Sequence, residues 1–438
     1  MTMPNKSLLV VSTSFPLKPG DSLSPFIWEF CQRLSALGWQ VTALVPHAPG
    51  LADKEDWEGI SVRRFRYLPE RLEDLGYSGG IMPNIGKNPF KLLKIPFHIH
   101  GMYREALRLT IEEDISLVNF HWLFPSSFWL GQFVRSSRVP VVLTGHGTDI
   151  RLASSQTFFR YFANRAFKRA AAVTVNSEYM KGILGAKMTP DKINVIPMGV
   201  DTEKFRPTGN RPSQSKTIVY VGRLISQKGI NLLIDTFAGI VKKIPDARLE
   251  IIGYGPEKGI ILEAISRNSM ISSVFLVDAV PHDSLPEIYR RARILVLPSL
   301  IPEGLGMTPA EAGLCGVPTV TFGLGGTREI IHDGRTGIIA ERSADGLYKA
   351  LIRLMEDDAL ADSMGRNAAE FLREKIGWHA VAARFDSLFN GTTANSGKSK
   401  SGSGHASLAT FGVVAITTLM YVVKLFFDRF ERLMSLLR

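Results

Sequence analysis

Two glutamates separated by seven residues, Glu303 and Glu311, enclose the segment GLGMTPA, and a helical pattern begins inside it. The apolar run ILVLPS at residues 294–299 comes just before them and predicts a buried strand. Gly304 and Gly306 would let the backbone approach a ligand closely, and the new helix would offer free amides to a phosphate. The spacing therefore predicts a site where Glu303 contacts a group attached to that phosphate.

A purely structural explanation competes for the second acid. Thr308 and Glu311 stand in the positions of a Thr-x-x-Glu capping box, with Pro309 at the first helical position. That motif alone would explain Glu311, but it requires neither the two glycines nor Glu303. From these residues both explanations stay open.

Two cations follow another predicted strand. Arg223 and Lys228 lie in VGRLISQKGI, on a loop between the strand TIVYVG and the helical pattern INLLIDTF. At the carboxyl end of a strand they could neutralise a diphosphate. The alternative is a pair of solvated surface residues.

A histidine ends a strand in the first half of the chain. The run PVVLTGHGTDI places His146 between two glycines, with Asp149 close behind it. Such a histidine is as often structural as catalytic, and the glycines would expose it at the edge of a sheet. Asp149 is a candidate cap of the following helix.

A Gly-x-Gly turn, at Gly253 and Gly255, suggests a different chemistry. It follows a predicted strand, and Asp278 at the end of the next strand could bind the ribose of a nicotinamide dinucleotide. However, the spacing Gly-x-Gly-x-x-x-Gly departs from the dinucleotide fingerprint. The motif is equally consistent with a tight turn.

Composition narrows the class of protein. The chain has 438 residues and a net charge of +11, which suits two domains and an anionic partner: nucleic acid, a phosphorylated substrate or a membrane surface. Cys31 and Cys315 are far apart and no Cys/His cluster has zinc spacing, so we expect a reducing compartment. Without an Asp-x-Asp triplet, Walker loop or Gly-x-Ser-x-Gly elbow, phosphate charge would be handled by Arg, Lys and helix amides, and no metal is expected.

Short aliphatic runs alternate with helical patterns, and the alternation restarts after a polar break. This predicts an α/β chain of two facing doubly wound, Rossmann-like domains with parallel sheets and a crevice between them. The predicted divisions are an N-terminal acceptor-side domain (1–205), a linker (206–216), a C-terminal donor-binding domain (217–389), a Gly/Ser linker (390–407) and a hydrophobic helix with a basic end (408–438).

The C-terminal segment predicts a membrane anchor. Residues 406–423 carry no charge, and as a helix they would extend about 27 Å, close to the roughly 30 Å of a bilayer's hydrocarbon core. The alternative is a helix that packs on the protein or on a second copy. Residues 86–97, GKNPFKLLKIPF, fit either a membrane surface or an exposed amphipathic helix.

Together these motifs resemble the retaining nucleotide-sugar glycosyltransferases of the GT-B fold, in particular family four. The most specific element is Glu-x7-Glu, and the runs VGRLISQKG, IIGYGPE, VIPMGVD and TREIIHDGRTG accompany it in the family's order. The resemblance spans about residues 7–388. It implies that Arg223 and Lys228 hold the donor diphosphate. It also implies that the backbone amides of Gly306, Met307 and Thr308 contact that phosphate.

The resemblance implies further roles around the sugar and the nucleoside. Glu303 would bind hydroxyls of the donor sugar, and His146 would contact the sugar near the reacting carbon. Glu311 would bind the ribose, and the turn from Val277 to Val280 would contact the base. No cofactor is implied beyond the nucleotide-sugar as co-substrate.

Two positions depart from the family pattern. The loop after the first strand carries only Gly20, followed by Asp21, where the family often has a glycine pair, so Gly20 is only a possible phosphate contact. Leu305 replaces a usual aromatic residue. These departures leave the substrate open.

The expected function is retaining, metal-independent transfer of a sugar from a UDP- or GDP-sugar to an acceptor hydroxyl. The anchor suggests a lipid-linked or glycan acceptor at the cytoplasmic face of a membrane, in polysaccharide or glycolipid synthesis, with no nucleic-acid partner. The alternatives are an NAD-dependent sugar-nucleotide epimerase or dehydrogenase, and a non-catalytic, membrane-tethered sugar-nucleotide binder.

Overall fold

The structure is a computed structural model that describes residues 6–21, 24–77, 80–185, 192–209 and 215–396. The predicted C-terminal anchor at residues 408–438 lies outside the described residues, as does most of the Gly/Ser linker. Within the described ranges, no helix combines the length and the apolar character that a bilayer span requires.

An eight-stranded sheet forms the first domain. Its strands are β1 (Ser7–Val11), β2 (Gln40–Pro46), β3 (Lys54–Trp57), β4 (Ile60–Phe65), β5 (Leu117–His121), β6 (Val141–Gly145), β7 (Ala172–Val175) and β8 (Ile193–Val195). Their spatial order is β3-β4-β2-β1-β5-β6-β7-β8. All neighbours are parallel except β3, which pairs antiparallel with β4. Strands β3 and β4 were not predicted, because their charged residues interrupt the apolar run that identifies the other strands.

Helices cover both faces of this sheet. They are α1 (Pro25–Ala36), α2 (Ile81–Lys87), α3 (Ile95–Glu112), α4 (Leu123–Ser126), α5 (Leu130–Ser137), α6 (Thr148–Ser155), α7 (Thr157–Arg169) and α8 (Glu178–Gly185). Successive residues of β1 point to opposite faces of the sheet. Leu9 and Val11 pack in the cluster with α3, α5 and α7. Leu8 and Val10 pack in the cluster with α1. Burial on both faces explains why the strands read as continuous apolar runs.

A six-stranded, fully parallel sheet forms the second domain. Its strands are β9 (Thr217–Val221), β10 (Arg248–Ile252), β11 (Val274–Val277), β12 (Ile294–Leu297), β13 (Thr319–Thr321) and β14 (Gly337–Ile339), in the order β11-β10-β9-β12-β13-β14. The helices that follow are α9 (Ile230–Lys243), α10 (Lys258–Arg267), α11 (Leu285–Arg291), α12 (Met307–Leu314), α13 (Ala344–Glu356), α14 (Asp358–Ile376) and α15 (Trp378–Ser396). Two parallel-sheet, Rossmann-like domains are thus confirmed.

Helix α15 returns to the first domain, although the sequence analysis placed residues 217–389 in the second. The buried rings of Phe385 and Phe389 join the cluster that contains Phe30, and the Phe30 and Phe385 ring centroids lie 4.9 Å apart. Trp378 Nε1 donates a hydrogen bond to Glu29 Oε2 at 2.6 Å. The physical reason is that α15 covers apolar surface on α1 that would otherwise face water.

Candidate active site

The loop between β12 and α12 fixes Glu303 by both backbone and side chain. Its amide donates to Leu324 O at 3.0 Å, and its Oε1 accepts hydrogen bonds from Lys228 Nζ at 2.5 Å and from Ser299 Oγ. The side chains of Lys228 and Glu303 are both largely buried. Because β9 and β12 are neighbours, the loops that follow them lie side by side, and this brings the two charges together.

Arg223 lies on the same edge, two residues beyond β9. Its side chain is exposed and forms no ion pair with any residue that the structure describes. The loop beneath it is held by the buried Tyr220, whose hydroxyl donates to Arg223 O at 2.9 Å. Burial raises the pKa of Tyr220, and the nearby Glu303 carboxylate raises it further while Arg223 opposes this. Arg223, Tyr220 and Glu303 therefore share one electrostatic environment.

The Gly-x-Gly turn supports this loop. A Cβ at Gly253 would lie 1.8 Å from Gly222 O, and one at Gly255 would lie 2.2 Å from Leu224 O. The two backbones are hydrogen-bonded, with Leu224 N donating to Tyr254 O at 2.8 Å. The glycines thus allow one loop to press against the other, as the tight-turn interpretation predicted.

The acid proposed for a dinucleotide ribose has a different partner. Asp278 is exposed and accepts a hydrogen bond from Lys258 Nζ at 2.6 Å. Nothing in these contacts favours the nicotinamide interpretation.

Helix α12 begins at the expected ligand edge. Gly306 precedes it with φ of 101°, and no side chain caps the helix. Among the described residues, the backbone amides of Met307 and Thr308 have no hydrogen-bond acceptor. Both residues are only half-buried. These amides are available to an anion, and the partial positive charge of the helix end favours one.

The capping-box explanation of Glu311 is wrong. Thr308 lies inside α12, Pro309 is the third helical residue, and Glu311 is 6 % exposed. Its carboxylate instead accepts hydrogen bonds from His282 Nε2 at 2.9 Å and from Tyr289 Oη at 3.0 Å. The N-cap of α12 is Gly306, and no side chain forms a capping hydrogen bond there, so Glu311 does not close the start of its own helix.

His282 and Tyr289 were missed by the sequence analysis. Burial lowers the pKa of His282, but the hydrogen bond and charge of Glu311 outweigh burial, so that pKa is raised overall. Burial, and then the Glu311 charge, raise the pKa of Tyr289, which keeps the phenol protonated as a donor. The available signal was the position of His282, which directly follows the predicted base-contacting turn.

That turn lies at the carboxyl end of β11. Val277 ends the strand with its side chain exposed, and Val280 packs partly against the apolar cluster around α11. Gly20 lies on an exposed loop after β1 with φ of 82°, and a Cβ there would meet no atom within 4 Å. Val280 thus packs against the cluster that contains Tyr289, a partner of Glu311, whereas no contact among the described residues connects Gly20 to the other predicted residues.

His146 follows β6 and lies among aromatic rings. Its Nε2 is 3.0 Å from His121 Nδ1, and its ring centroid lies 4.4 Å from that of Trp122 and 5.3 Å from that of Phe26. Burial lowers the pKa of His146 to about 4, although Asp149 opposes this. The imidazole is therefore neutral at physiological pH and offers a hydrogen bond rather than a charge. The sequence analysis missed His121, which ends β5 at the same edge.

Asp149 does not cap α6, whose N-cap is Gly147. Its Oδ1 accepts the amides of His146, Gly147 and Ile150 at 2.9–3.0 Å, and its Oδ2 accepts the amide of Leu123 at 2.7 Å. Asp149 therefore holds the histidine loop in shape.

The two domains meet at these loops. Ser177 Oγ donates to Gly304 O at 2.6 Å, and Asn176 Nδ2 donates to His146 O at 3.2 Å. A Cβ on Gly304 would lie 3.4 Å from Asn176 Nδ2 and 3.8 Å from His146 O. These are ordinary van der Waals distances, and they show that the His146 loop lies directly beside Gly304 and therefore next to Glu303. Arg151 adds a further contact, to Pro302 O.

The arrangement has one clear chemical capacity. Two cations, free helix amides and two oriented carboxylates meet at the carboxyl edge of the second sheet, opposite a neutral histidine of the first. Such a set can hold a phosphorylated group and a polyhydroxylated one side by side.

Comparison with known proteins agrees with this capacity. The model described as "Glycosyltransferase Family 4" matches residues 24–204, and the model described as "Glycosyl transferases group 1" matches residues 201–371. One similar protein is the GDP-mannose-dependent alpha-(1-6)-phosphatidylinositol monomannoside mannosyltransferase of Mycobacterium tuberculosis. It is 24 % identical over 408 residues, which covers 88 % of this chain and 99 % of that protein.

Solved structures support the fold. Sucrose-phosphate synthase from Thermosynechococcus elongatus matches with a TM-score of 0.72 at 20 % identity, over 89 % of this chain and 100 % of that one. Anabaena HepE, solved in complex with UDP-glucose, matches with a TM-score of 0.64 at 17 % identity, over 88 % of this chain and 99 % of that one.

Proposed function

Since the chain belongs to the family-4 glycosyltransferases of the GT-B fold, we propose that it transfers a sugar from a UDP- or GDP-sugar to an acceptor hydroxyl with retention at the anomeric carbon. The observation that supports this most is the Lys228–Glu303 pair at the carboxyl edge of the second sheet, opposite the His146 loop. A pocket for a bare phosphate would not need a carboxylate held against its lysine, whereas a donor that carries both diphosphate and sugar uses both groups.

On the donor side, each group has one task. Arg223, Lys228 and the amides of Gly306, Met307 and Thr308 bind the diphosphate. Glu303 binds hydroxyls of the donor sugar. Glu311, oriented by His282 and Tyr289, binds the ribose hydroxyls. The turn from Val277 to Val280 contacts the base, and Gly20 is a further possible phosphate contact.

The chemical barrier is cleavage of the bond between the anomeric carbon and the phosphate oxygen, which builds negative charge on the leaving diphosphate. Arg223, Lys228 and the start of α12 stabilise that charge as it develops, and this lowers the barrier selectively. The neutral His146 donates or accepts a hydrogen bond at the donor sugar near the reacting carbon. Because two cations and helix amides already face the leaving group, we propose that no metal ion is required.

The acceptor is lipid-linked or a glycan. The mycobacterial relative's name specifies GDP-mannose as donor and a phosphatidylinositol mannoside as acceptor, which supports this class without identifying the compound. The product would belong to a cell-surface polysaccharide or glycolipid.

One assay tests the reaction. The full chain is incubated with single UDP- and GDP-sugars, with and without a polyprenyl-linked acceptor, and nucleotide release and the anomeric configuration of the product are measured, with and without EDTA. We expect one donor to give acceptor-dependent release, a retained configuration and no effect of EDTA. Failure of every donor would favour a non-catalytic binder, an inverted product would refute retention, and loss of activity with EDTA would refute metal independence.

We also propose that the protein acts at the cytoplasmic face of a membrane, anchored by residues 408–438. This rests on the uncharged run at residues 406–423 and its basic flank. In a wash of about 1 M salt, which screens electrostatic docking, deleting residues 407–438 is expected to move the protein from the membrane fraction to the soluble fraction. An unchanged distribution would refute the anchor.

A further inference from the structure

An aromatic surface with an excess of positive charge covers part of the first domain. Phe90, Leu93 and Phe97 project from the start of α3 and the turn before it, and Phe90 is 77 % exposed. On α7, Tyr161 is 57 % exposed and its neighbour Phe162 is half-buried. We call these five residues the aromatic rim.

A row of aromatic contacts runs from α3 to α7, between the two exposed parts of the rim. The His100 ring on α3 lies 6.3 Å from Trp129, which precedes α5. Next to it, Phe128 lies 4.6 Å from Phe162 on α7, and Phe162 lies 5.3 Å from Tyr161. The two exposed parts of the rim therefore lie on helices that these ring contacts join, α3 and α7.

The charge around the rim is one-sided. Helix α7, which carries Tyr161 and Phe162, contains no acid and four basic residues: Arg160, Arg165, Lys168 and Arg169. On α7, neither Arg165 nor Lys168 forms an ion pair with any residue that the structure describes. At the other end of the rim, Lys91 and Lys94 share one carboxylate, Asp74, which leaves a net positive charge there. The complementary partner is therefore anionic.

The aromatic rim lies at the same edge of the first sheet as the interdomain crevice. Helices α3 and α7 lead into β5 and β7, so their amino-terminal ends lie at the carboxyl edge of the sheet. His146 directly follows β6, which lies between those two strands, and is therefore at the same edge. A surface that covers the rim would therefore lie beside the opening through which an acceptor reaches His146.

We propose that the aromatic rim and its basic flank dock the first domain onto an anionic phospholipid bilayer, independently of the C-terminal segment. The headgroup region accommodates apolar side chains and attracts Lys and Arg, whereas an acidic protein or a nucleic acid would leave Phe90 and Leu93 against polar groups. This extends the proposed function, because a bilayer docked there presents a lipid-linked acceptor at the crevice.

Site-specific fluorescence tests the docking on the full chain. Cys31 and Cys315 are buried, so an exposed cysteine introduced as Phe90→Cys or Tyr161→Cys can be labelled selectively with an environment-sensitive dye. The control is Ile271→Cys, at an exposed apolar position of the second domain. Vesicles of phosphatidylcholine, with or without phosphatidylglycerol, are added without donor or acceptor.

With the anionic vesicles, we expect the labels at 90 and 161 to brighten and shift to shorter wavelengths, and the label at 271 to stay unchanged. If the protein sediments with the vesicles but neither rim label responds, the C-terminal segment alone carries binding and the proposal is overturned. An equal response to soluble polyglutamate would identify an acidic macromolecule instead and would also overturn it. Because no transfer is measured, either outcome is independent of the glycosyltransferase assay.

A charge variant provides the second measurement. Removing one Lys or Arg near an anionic membrane lowers partitioning about fivefold, so Arg165→Gln with Lys168→Gln should weaken vesicle binding about 25-fold. The matched control is Lys242→Gln with Lys243→Gln, two exposed lysines at the end of α9 in the second domain. Equal binding by both double variants would contradict the proposed face.

Discussion

At the scale of single residues, the proposed function depends most on the ion pair between Glu303 and Lys228. Glu303 Oε1 already accepts hydrogen bonds from Lys228 and Ser299. A diphosphate that binds Lys228 must compete with this carboxylate, and the exchange frees Glu303 for the hydroxyls of the sugar. The pair would thus couple recognition of the phosphate to recognition of the sugar.

Removing the charge of Glu303 should separate catalysis from folding. We expect Glu303→Gln to lower kcat by roughly 100- to 1000-fold, because an interaction at the reacting sugar is lost. The amide can still accept from Ser299, so Tm should change little. Steady-state kinetics and a thermal melt measure both quantities, with Glu263→Gln on the exposed face of α10 as control. A normal kcat for Glu303→Gln would show that Glu303 does not act in the donor site.

His282 should make stability depend on pH. Its folded-state pKa is raised: burial lowers it, but the Glu311 hydrogen bond and charge outweigh burial. The resulting stabilisation is complete below the unfolded pKa of about 6.5 and is lost as pH rises through the folded pKa. We therefore expect the wild type's Tm advantage over His282→Gln to be largest at acidic pH and to shrink as pH rises. His379→Gln, at an exposed position, is the control, and a pH-independent advantage would contradict this role.

Residue types and spacing predicted some of the site but not its connections. Arg223, Lys228 and Glu303 were found because each follows an apolar strand, and the ends of parallel strands meet. The partners of Glu311 were not found, because His282 and Tyr289 are 29 and 22 residues away and no local pattern links them. Because the local sequence does not show these partners, a capping box seemed sufficient to explain Glu311.

At the scale of elements, the loop of Arg223 depends on the glycines beneath it. Gly255→Ala would place a Cβ 2.2 Å from Leu224 O, where backbone must move. We expect a loss of roughly 3 kcal/mol in the free energy of unfolding and a raised donor KM.

Denaturant unfolding and donor titration measure the two effects of Gly255→Ala. Gly259→Ala is the matched control, because its Cβ meets nothing within 4 Å and alanine favours the helix. Equal stability of the two variants would show that the turn does not support the loop.

The strands were predictable to differing degrees. Strands buried on both faces, such as β1 and β12, have no polar residue inside the apolar run. In contrast, β4 contains Ser61 and two adjacent arginines, Arg63, which pairs with Glu113, and Arg64, which pairs with Glu55. Its charges are neutralised by distant partners, which the local sequence does not show.

At the scale of the whole molecule, the chain crosses between domains twice at one place. Val200 N donates to Ile376 O at 2.9 Å, and Trp378 N donates to Val200 O at 3.2 Å. Helix α15 then packs on the first domain, where Trp39 Nε1 donates to Asp386 Oδ1 at 2.8 Å. From the sequence, α15 was predicted to belong to the second domain, which precedes it in the chain. A contact between residues 347 positions apart leaves no local pattern that would show otherwise.

The central claim is that one interdomain crevice holds a nucleotide-sugar. A crystal structure of the full chain with UDP, and a second with GDP, tests it most directly. We expect a pyrophosphate within hydrogen-bond distance of Arg223 and Lys228, and ribose hydroxyls on Glu311. A nucleotide bound elsewhere, with its phosphates on neither cation and its ribose away from Glu311, would contradict it.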